Sequence, residues 1–298
     1  MRLFYSPQYE LSLPGHVWPT AKYRLAIERL AQRSAFVIEE PAAASWEDLA
    51  LVHTREYLHK LRLNTLTANE IATLEVPWRP GLADRFRLMV GGTCQTAAAA
   101  LADGAAAHVG GGLHHAFANH GEGFCPLNDI AVAIRSSARR AAVIDCDVHH
   151  GNGTAMIFER DPEVFTFSIH QQHNYPLFKP RSDLDVGLED GTGDQEYLAA
   201  LAGALPTVLA HGPELVVYVA GADPYEGDAL GGLKLTKAGL AARDRMVIGA
   251  VCDAGIPIAV VLAGGYAPDI TDIVDIHVAT IEALDAIVNA RREPDGGG

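Results

Sequence analysis

The sequence has no apolar run of the roughly 18 residues that a membrane-spanning helix needs, so we expect no such helix. Residues 1–7 also lack the apolar core of a signal peptide and are instead typical of a first β-strand. We therefore expect a cytoplasmic protein without membrane association.

Positive charge is scarce. The chain carries 23 Lys and Arg against 37 Asp and Glu, which gives a formal net charge of −14. An acidic surface repels the phosphate backbone, so we expect no nucleic-acid binding. The charge serves solubility first, and it would also attract cationic partners such as lysine-rich tails or polyamines.

Cysteine is also sparse. The four cysteines form no Cys-x-x-Cys pair, which favours reduced, buried thiols over disulfides or a zinc ribbon. No internal repeat or low-complexity linker divides the chain. We predict one domain over residues 1–290 and a disordered C-terminal tail over residues 291–298.

Short, nearly continuous apolar runs alternate with helical patterns, as is typical of parallel strands covered on both faces. The predicted strands are the N-terminus, 35–38, 106–109, 141–144, 164–169, 215–220 and 258–263; the predicted helices are 19–30, 45–48, 93–101 and 236–251. This alternation predicts a single doubly wound α/β domain with a mostly parallel central sheet and helices on both faces.

Unusual polar residues follow four of the predicted strands. Ligands of open parallel sheets bind beyond the carboxyl ends of the strands, so four such endings indicate a built site. The four segments are Gly110–His115, Asp145–Gly153, Gly221–Asp223 and Gly264–Tyr266.

The second and third of these segments indicate a metal site. Side chains two apart in an extended segment share a side, which aligns Asp145, Asp147 and His149. Asp147 and His149 can hold one cation, and Asp223 is the natural third ligand. Two carboxylates and one imidazole with open positions are typical of a catalytic zinc site, although iron(II) or manganese would also fit.

The adjacent pair His114–His115 supplies a general base and a general acid beside such a metal. Asp145 and Asn152 are the available partners that would orient the two rings. Tyr266 follows a pair of glycines, and its phenol is suited to polarising a carbonyl opposite the metal.

The motifs together resemble those of the zinc-dependent histone deacetylases, which have the arginase/deacetylase fold. They occur in the family's order along most of the chain. The motifs are GGLHHA (111–116), GFCPLND (123–129), DCDVHHGNG (145–153), GAD (221–223) and GGY (264–266). The N-terminal segments YSP (5–7), PGH (14–16) and PTAKY (19–23) resemble the class IV-like bacterial type.

The resemblance implies a zinc-dependent enzyme that removes an acyl group from acyl-lysine or a related acylated amine. Asp147, His149 and Asp223 would bind one Zn²⁺. His114 and His115 would be the tandem catalytic histidines, and Tyr266 would polarise the acyl carbonyl, as the residues alone suggested.

The resemblance also implies an acyl-lysine channel and a second ion. Phe124 would form one wall of the channel, Tyr175 the facing wall, and the Gly123 carbonyl its floor. A structural K⁺ is implied near Asp145, Asp147, His149 and Ser168.

The chain departs from most classes of that family at Asn152, where they have aspartate. Asparagine orients the His115 ring without adding a negative charge, so it should keep the pKa of His115 lower than aspartate would. We therefore expect a neutral His115 that acts as a base, with His114, backed by Asp145, as the electrostatic partner. The acidic limb of the pH–rate profile of Asn152→Asp tests this expectation.

Two alternatives remain open. An arginase-like ureohydrolase would use two metal ions and needs further aspartates, and Gly151 stands where one of them should be. A non-catalytic module that binds acyl-lysine or polyamines would not need both histidines and Tyr266. The sequence fixes neither the acyl chain and its carrier nor the oligomeric state.

Overall fold

Parallel β-strands form the centre of the computed structural model, which describes residues 1–33 and 35–292. Within those residues, eight strands make one sheet in the spatial order β2-β1-β3-β8-β7-β4-β5-β6, and every neighbouring pair is parallel. The strands are β1 (Arg2–Phe4), β2 (Val37–Glu39), β3 (Ala105–His108), β4 (Ala141–Asp145), β5 (Val164–Gln171), β6 (Leu184–Leu188), β7 (Leu215–Val219) and β8 (Ile258–Val261).

Helices cover both faces of the sheet. Helices α5, α6 and α7 pack on one face, and α1, α8, α9 and α10 pack on the other. The helices of the described residues are α1 (Ala21–Leu30), α2 (Trp46–Leu49), α3 (Arg55–Leu63), α4 (Ala68–Leu74), α5 (Leu82–Asp103), α6 (Asp129–Ser137), α7 (Asn152–Phe158), α8 (Asp194–Ala210), α9 (Lys237–Asp253) and α10 (Ile270–Arg292). None of them is both long and apolar enough to cross a bilayer.

Strand β4 shows why the apolar runs are nearly continuous. Ala141 and Val143 belong to the core against α5–α7, whereas Ala142 and Ile144 belong to the core on the opposite face. Successive side chains of a strand point to opposite faces, so a strand covered on both sides needs apolar residues at every position. The predicted fold class is therefore confirmed, with a sheet that is parallel throughout.

Several elements differ from the prediction. Helix α5 begins at Leu82, well before the predicted start at Thr93, and contains Gly91, where a Cβ would lie 1.9 Å from the Ala42 carbonyl oxygen. Gly91 and the adjacent Gly92 therefore allow other segments to pack closely against α5, and the helix continues through both. Strand β6 was not predicted, because its exposed edge positions interrupt the apolar run.

The C-terminal helix was not among the predicted elements. Helix α10 continues to Arg292 and so includes the first two residues of the predicted tail, while residues 293–298 lie outside the described part of the chain. The Arg291 guanidinium donates to the Asp253 carboxylate at the end of α9, which gives the last turn of α10 a partner.

The order of the strands in the sheet determines where the polar segments meet. The strands that precede the four polar segments, β3, β8, β7 and β4, are consecutive neighbours in the sheet. Their carboxyl ends form one continuous edge, so residues from positions 110 to 266 meet there.

The buried His53, which is not part of that edge, should make the stability of the fold depend on pH. Its Nδ1 donates to the Phe117 carbonyl at 3.0 Å, and its Nε2 accepts from the Asn128 amide at 3.0 Å. Burial lowers the pKa of His53 from 6.5 to about 4, outweighing its backbone hydrogen bonds. Between these values the unfolded chain binds a proton that the folded chain does not, so stability should fall as the pH falls.

We expect His53→Gln to weaken this acid sensitivity, because glutamine has a donor and an acceptor but does not titrate. Between neutral pH and pH 4, the wild type should lose roughly 3 kcal/mol more unfolding free energy than the variant. Urea unfolding at a series of pH values measures the difference. Parallel pH profiles for the two proteins would contradict the assignment.

Candidate active site

Three side chains from two strand ends form a group that fits one metal ion. In Asp147, His149 and Asp223, one ligand atom of each residue lies within 4.8 Å of the other two. His149 Nδ1 is 3.0 Å from Asp147 Oδ1 and 3.4 Å from Asp223 Oδ2. All three residues are buried. The three ligands predicted from the sequence therefore lie together.

The hydrogen bonds of the carboxylates leave oxygen atoms available to an ion. Asp147 Oδ2 accepts from the Gly264 amide at 2.9 Å, and Asp223 Oδ1 accepts from the Val148 amide at 2.9 Å. Asp223 Oδ2 is buried and has no hydrogen-bond partner. A buried carboxylate oxygen without a partner is costly unless a cation satisfies it, so the residues fit a divalent ion.

Gly264 closes the ligand group on one side. A Cβ at this position would lie 1.8 Å from Asp223 Oδ2 and 2.5 Å from Asp147 Oδ2. We expect Gly264→Ala to displace both carboxylates and to weaken metal affinity by roughly 10- to 100-fold, the scale of losses at residues that support metal ligands. Competition with a chromogenic chelator measures the affinity.

Gly203→Ala is the matched control, because Gly203 is exposed on α8 and a Cβ there would have no atom within 4 Å. It should keep the metal affinity and raise the unfolding free energy by about 0.5–1 kcal/mol. Equal affinities for the two variants would contradict the assigned role of Gly264.

The two adjacent histidines converge beside the ligand group. His114 Nδ1 donates to Asp145 Oδ2 at 2.7 Å, and His115 Nδ1 donates to Asn152 Oδ1 at 2.7 Å. Their Nε2 atoms are 3.1 Å apart. Both rings thus direct a nitrogen to the same point, and Asp145 and Asn152 are the orienting partners that the sequence predicted.

The surroundings separate the pKa values of the pair. Burial lowers the pKa of His114, but the charges of Asp145 and Asp147 outweigh it and raise that pKa to about 9. Burial, followed by the charges of His114 and His149, holds the pKa of His115 well below its usual value. Burial is the first cause of the lowered pKa, and the hydrogen bond to Asn152 acts to raise it. The expected difference between asparagine and aspartate at position 152 stays a prediction.

The loop that carries the histidines is fastened by Asp129, which was not identified from the sequence. Its carboxylate accepts from the amides of Gly112 at 3.0 Å and Leu113 at 2.7 Å, and from the Thr93 hydroxyl. Asp129 begins α6 directly after the helix cap Asn128, so the start of this helix also holds the glycine-rich loop. Its signal was its place in the motif GFCPLND.

Tyr266 lies near the ligand group. Its ring is 6.4 Å from the His149 ring and 6.0 Å from the Phe124 ring. Two residues missed by the sequence analysis hold its segment: Asp228 Oδ2 accepts from the Tyr266 amide at 2.6 Å, and buried Lys22 donates to the Ala263 carbonyl at 2.8 Å.

A cavity of about 260 Å³ leads from the surface to this group. Gly123, Phe124 and Tyr175 line it, together with His115, His149 and Tyr266. Phe124 has a φ of +68°, a strained conformation for a residue with a side chain, and it lies against Trp18 with 6.2 Å between ring centroids. The three residues predicted to line the channel therefore share one cavity with His115 and Tyr266, two of the predicted catalytic residues.

A second group of possible metal ligands consists of His150 from the segment after β4, His170 from β5 and Asp185 from β6. His150 Nε2 donates to Asp185 Oδ1 at 3.1 Å, and His170 Nδ1 is 3.0 Å from the Ser168 hydroxyl. The first hydrogen bond ties the segment after β4 to β6, and the second lies within β5.

Comparison with known proteins decides the family. A model described as the histone deacetylase domain matches residues 16–281. The chain belongs to the histone deacetylase family. This histone deacetylase-family protein is 42% identical over 283 residues to an uncharacterized protein of Picosynechococcus sp., covering 92% of this chain and 94% of that one.

Two further similarities extend the comparison. The chain is also 32% identical over 286 residues to histone deacetylase 2 of Arabidopsis thaliana, covering 89% of this chain and 74% of that one. The crystal structure of the HDA15 HD domain matches with a TM-score of 0.76 and 24% identity, covering 95% of this chain and 90% of that one. The predicted family is thus confirmed, and the deacetylases in it support a hydrolase activity for this chain.

Proposed function

We propose that this protein is a zinc-dependent amidohydrolase that removes an acetyl or longer acyl group from acyl-lysine or a related acylated amine. The observation that carries the proposal is the position of Asp147, His149 and Asp223 beside the paired histidines, at the inner end of an open cavity. Two carboxylates and one imidazole are a donor set suited to a catalytic zinc, with positions left for water and substrate.

A bound zinc ion would supply a Lewis acid for the acyl carbonyl and would lower the pKa of water. His115 Nε2 is the acceptor for the proton of the attacking water, because Nδ1 is engaged with Asn152. The Tyr266 hydroxyl donates to the acyl oxygen as negative charge develops on it. As the C–N bond breaks, a histidine of the pair donates a proton to the departing amine, which leaves amine and carboxylate as products. Burial lowers the pKa of His114, but the charges of Asp145 and Asp147 outweigh it and keep that ring protonated.

The cavity supports an extended acyl-lysine substrate. Phe124 and Tyr175 would form its walls, and Gly123 would allow the backbone to approach the alkyl chain. The structural K⁺ stays a prediction; Asp145 and Ser168, two of the residues implied for it, are paired in register across β4 and β5. The net charge of −14 suits a cationic carrier, either a peptide or a polyamine.

A panel of fluorogenic acyl-lysine peptides and acetylpolyamines tests the proposal. Acyl release should disappear after chelation, return with added zinc at one ion per chain, and be blocked by a hydroxamate. Binding of the ligands without release in the presence of zinc would favour the non-catalytic module. Two catalytic ions per chain would favour the ureohydrolase.

A further inference from the structure

Glu122 contacts two residues of the candidate site, although no sequence pattern indicated it. Its Oε1 accepts from Asn152 Nδ2 at 2.9 Å and from the Tyr175 hydroxyl at 2.9 Å. Its Oε2 lies 3.5 Å from His120 Nε2. One carboxylate therefore connects the partner of His115 with a wall of the cavity.

The orientation of the Asn152 amide depends on this contact. An amide has an acceptor at one end and donors at the other, and its two orientations are similar in shape. An ionised carboxylate only accepts, so Glu122 requires the nitrogen of Asn152 on its side and leaves the oxygen facing His115. His115 Nδ1 must then carry the proton that it donates at 2.7 Å, and Nε2 is left as an acceptor inside the cavity.

The charge state of Glu122 agrees with this arrangement. Burial raises the pKa of the carboxyl group, but hydrogen bonds from His120, Tyr175 and Asn152 outweigh burial and hold the pKa below its usual value. Glu122 is therefore ionised at neutral pH. The carboxylate nearest to the Nδ1 side of His115 therefore lies beyond the Asn152 amide, one hydrogen bond further away.

We propose that Glu122 is a positioning residue that fixes the Asn152 amide, and through it the tautomer of His115, while anchoring Tyr175 at the cavity wall. The inference rests on the proposed function, because the tautomer matters only if His115 Nε2 serves as the base. An aspartate at position 152 would present two equivalent oxygens and would need no such neighbour, whereas asparagine does.

The tautomer can be measured directly. In protein with ¹⁵N-labelled histidine, two-bond ¹H–¹⁵N correlations distinguish protonated from bare ring nitrogens, and the signals missing in His115→Ala identify His115. The wild type should show Nδ1 protonated and Nε2 bare. Glu122→Gln should populate both tautomers, because glutamine can donate to Asn152 as well as accept from it.

A double variant tests whether the original tautomer of His115 can be restored. Glu122→Gln combined with Asn152→Asp should restore the Nδ1-protonated form, since aspartate accepts with either oxygen. Asn152→Asp alone should be less active than the double variant, because it places two carboxylates in hydrogen-bond contact. Asn152→Asp should thus lower activity when Glu122 is present and raise it when Glu122 is replaced by Gln. A merely structural role for Glu122 would not produce these opposite effects.

Steady-state kinetics separates the two contacts. Glu122→Gln should lower kcat/KM by roughly 10- to 100-fold, with kcat falling through His115 and KM rising through Tyr175. Tyr175→Phe should raise KM while the His115 tautomer stays unchanged. His120→Ala removes the other neighbour of Glu122 and should also leave the tautomer unchanged.

The proposal is overturned if Glu122→Gln keeps both the wild-type tautomer and the wild-type kcat, or if the double variant is no better than Glu122→Gln. The tautomer is read without turnover, in metal-free and zinc-loaded protein alike. A wild type that has the expected tautomer but hydrolyses no acyl-amine would refute the proposed function and leave the positioning role of Glu122 standing.

Discussion

His115→Ala should lower kcat by roughly 10²- to 10⁴-fold, the range for loss of a general base, which corresponds to about 2.7–5.5 kcal/mol of activation free energy. The metal content should not change, because the imidazole of His115 is outside the ligand group Asp147, His149 and Asp223. We expect binding of a hydroxamate to persist for the same reason. The measurements are single-turnover kinetics on an acyl-lysine peptide and the bound zinc per chain.

The matched control for this variant is His59→Ala. His59 is exposed on α3 and far along the chain from the four polar segments, so its loss should leave kcat unchanged. A His115→Ala enzyme that keeps more than a tenth of wild-type kcat would show that another group takes the proton. His114 would then be the first residue to examine, since its Nε2 is 3.1 Å from that of His115.

Tyr266→Phe should lower kcat by roughly 10²- to 10³-fold, the scale seen when one donor to a developing oxyanion is removed. The change deletes one oxygen and keeps the ring, so the contacts with Phe124 and His149 remain. KM should change little, because the hydroxyl binds the transition state more strongly than the ground state.

Tyr225→Phe is the control for the loss of a phenol. The Tyr225 hydroxyl makes a long hydrogen bond of 3.4 Å to Asp272 outside the cavity, so the variant should retain wild-type kcat. If Tyr266→Phe changed KM but not kcat, the hydroxyl would bind substrate without stabilising the reacting carbonyl, and the proposed mechanism would lose its second source of polarisation.

The strand-end argument located the site well because of the register of the sheet. Asp223 and the histidine pair are over a hundred residues apart, yet β3, β8, β7 and β4 are neighbours, and their ends share one edge. A sequence reader who recognises apolar runs as parallel strands can therefore predict which polar residues meet. This argument uses only the order of the strands, so it does not predict the distances between the side chains.

The residues that support the site escaped prediction for a physical reason. Glu122, Lys22 and Asp228 act through hydrogen bonds to Asn152, Ala263 and Tyr266, which are 30, 241 and 38 positions away, and no periodic pattern marks them. Arg243 is similar: it is fully buried and donates to the Cys146 and Gly221 carbonyls, so it links the two ligand segments from the middle of α9. A charged residue in a helix is most often solvated, which is why the sequence did not distinguish it.

The sequence by itself determined the fold class, the family and the chemical identity of the donors, because apolar periodicity and side-chain type are properties of the chain. Only the tertiary structure decided which oxygen of Asp223 is left without a partner, which way the Asn152 amide points and what surrounds Glu122. Those features depend on distances of a few ångströms between segments far apart in the chain, and such distances are set by packing of the whole domain.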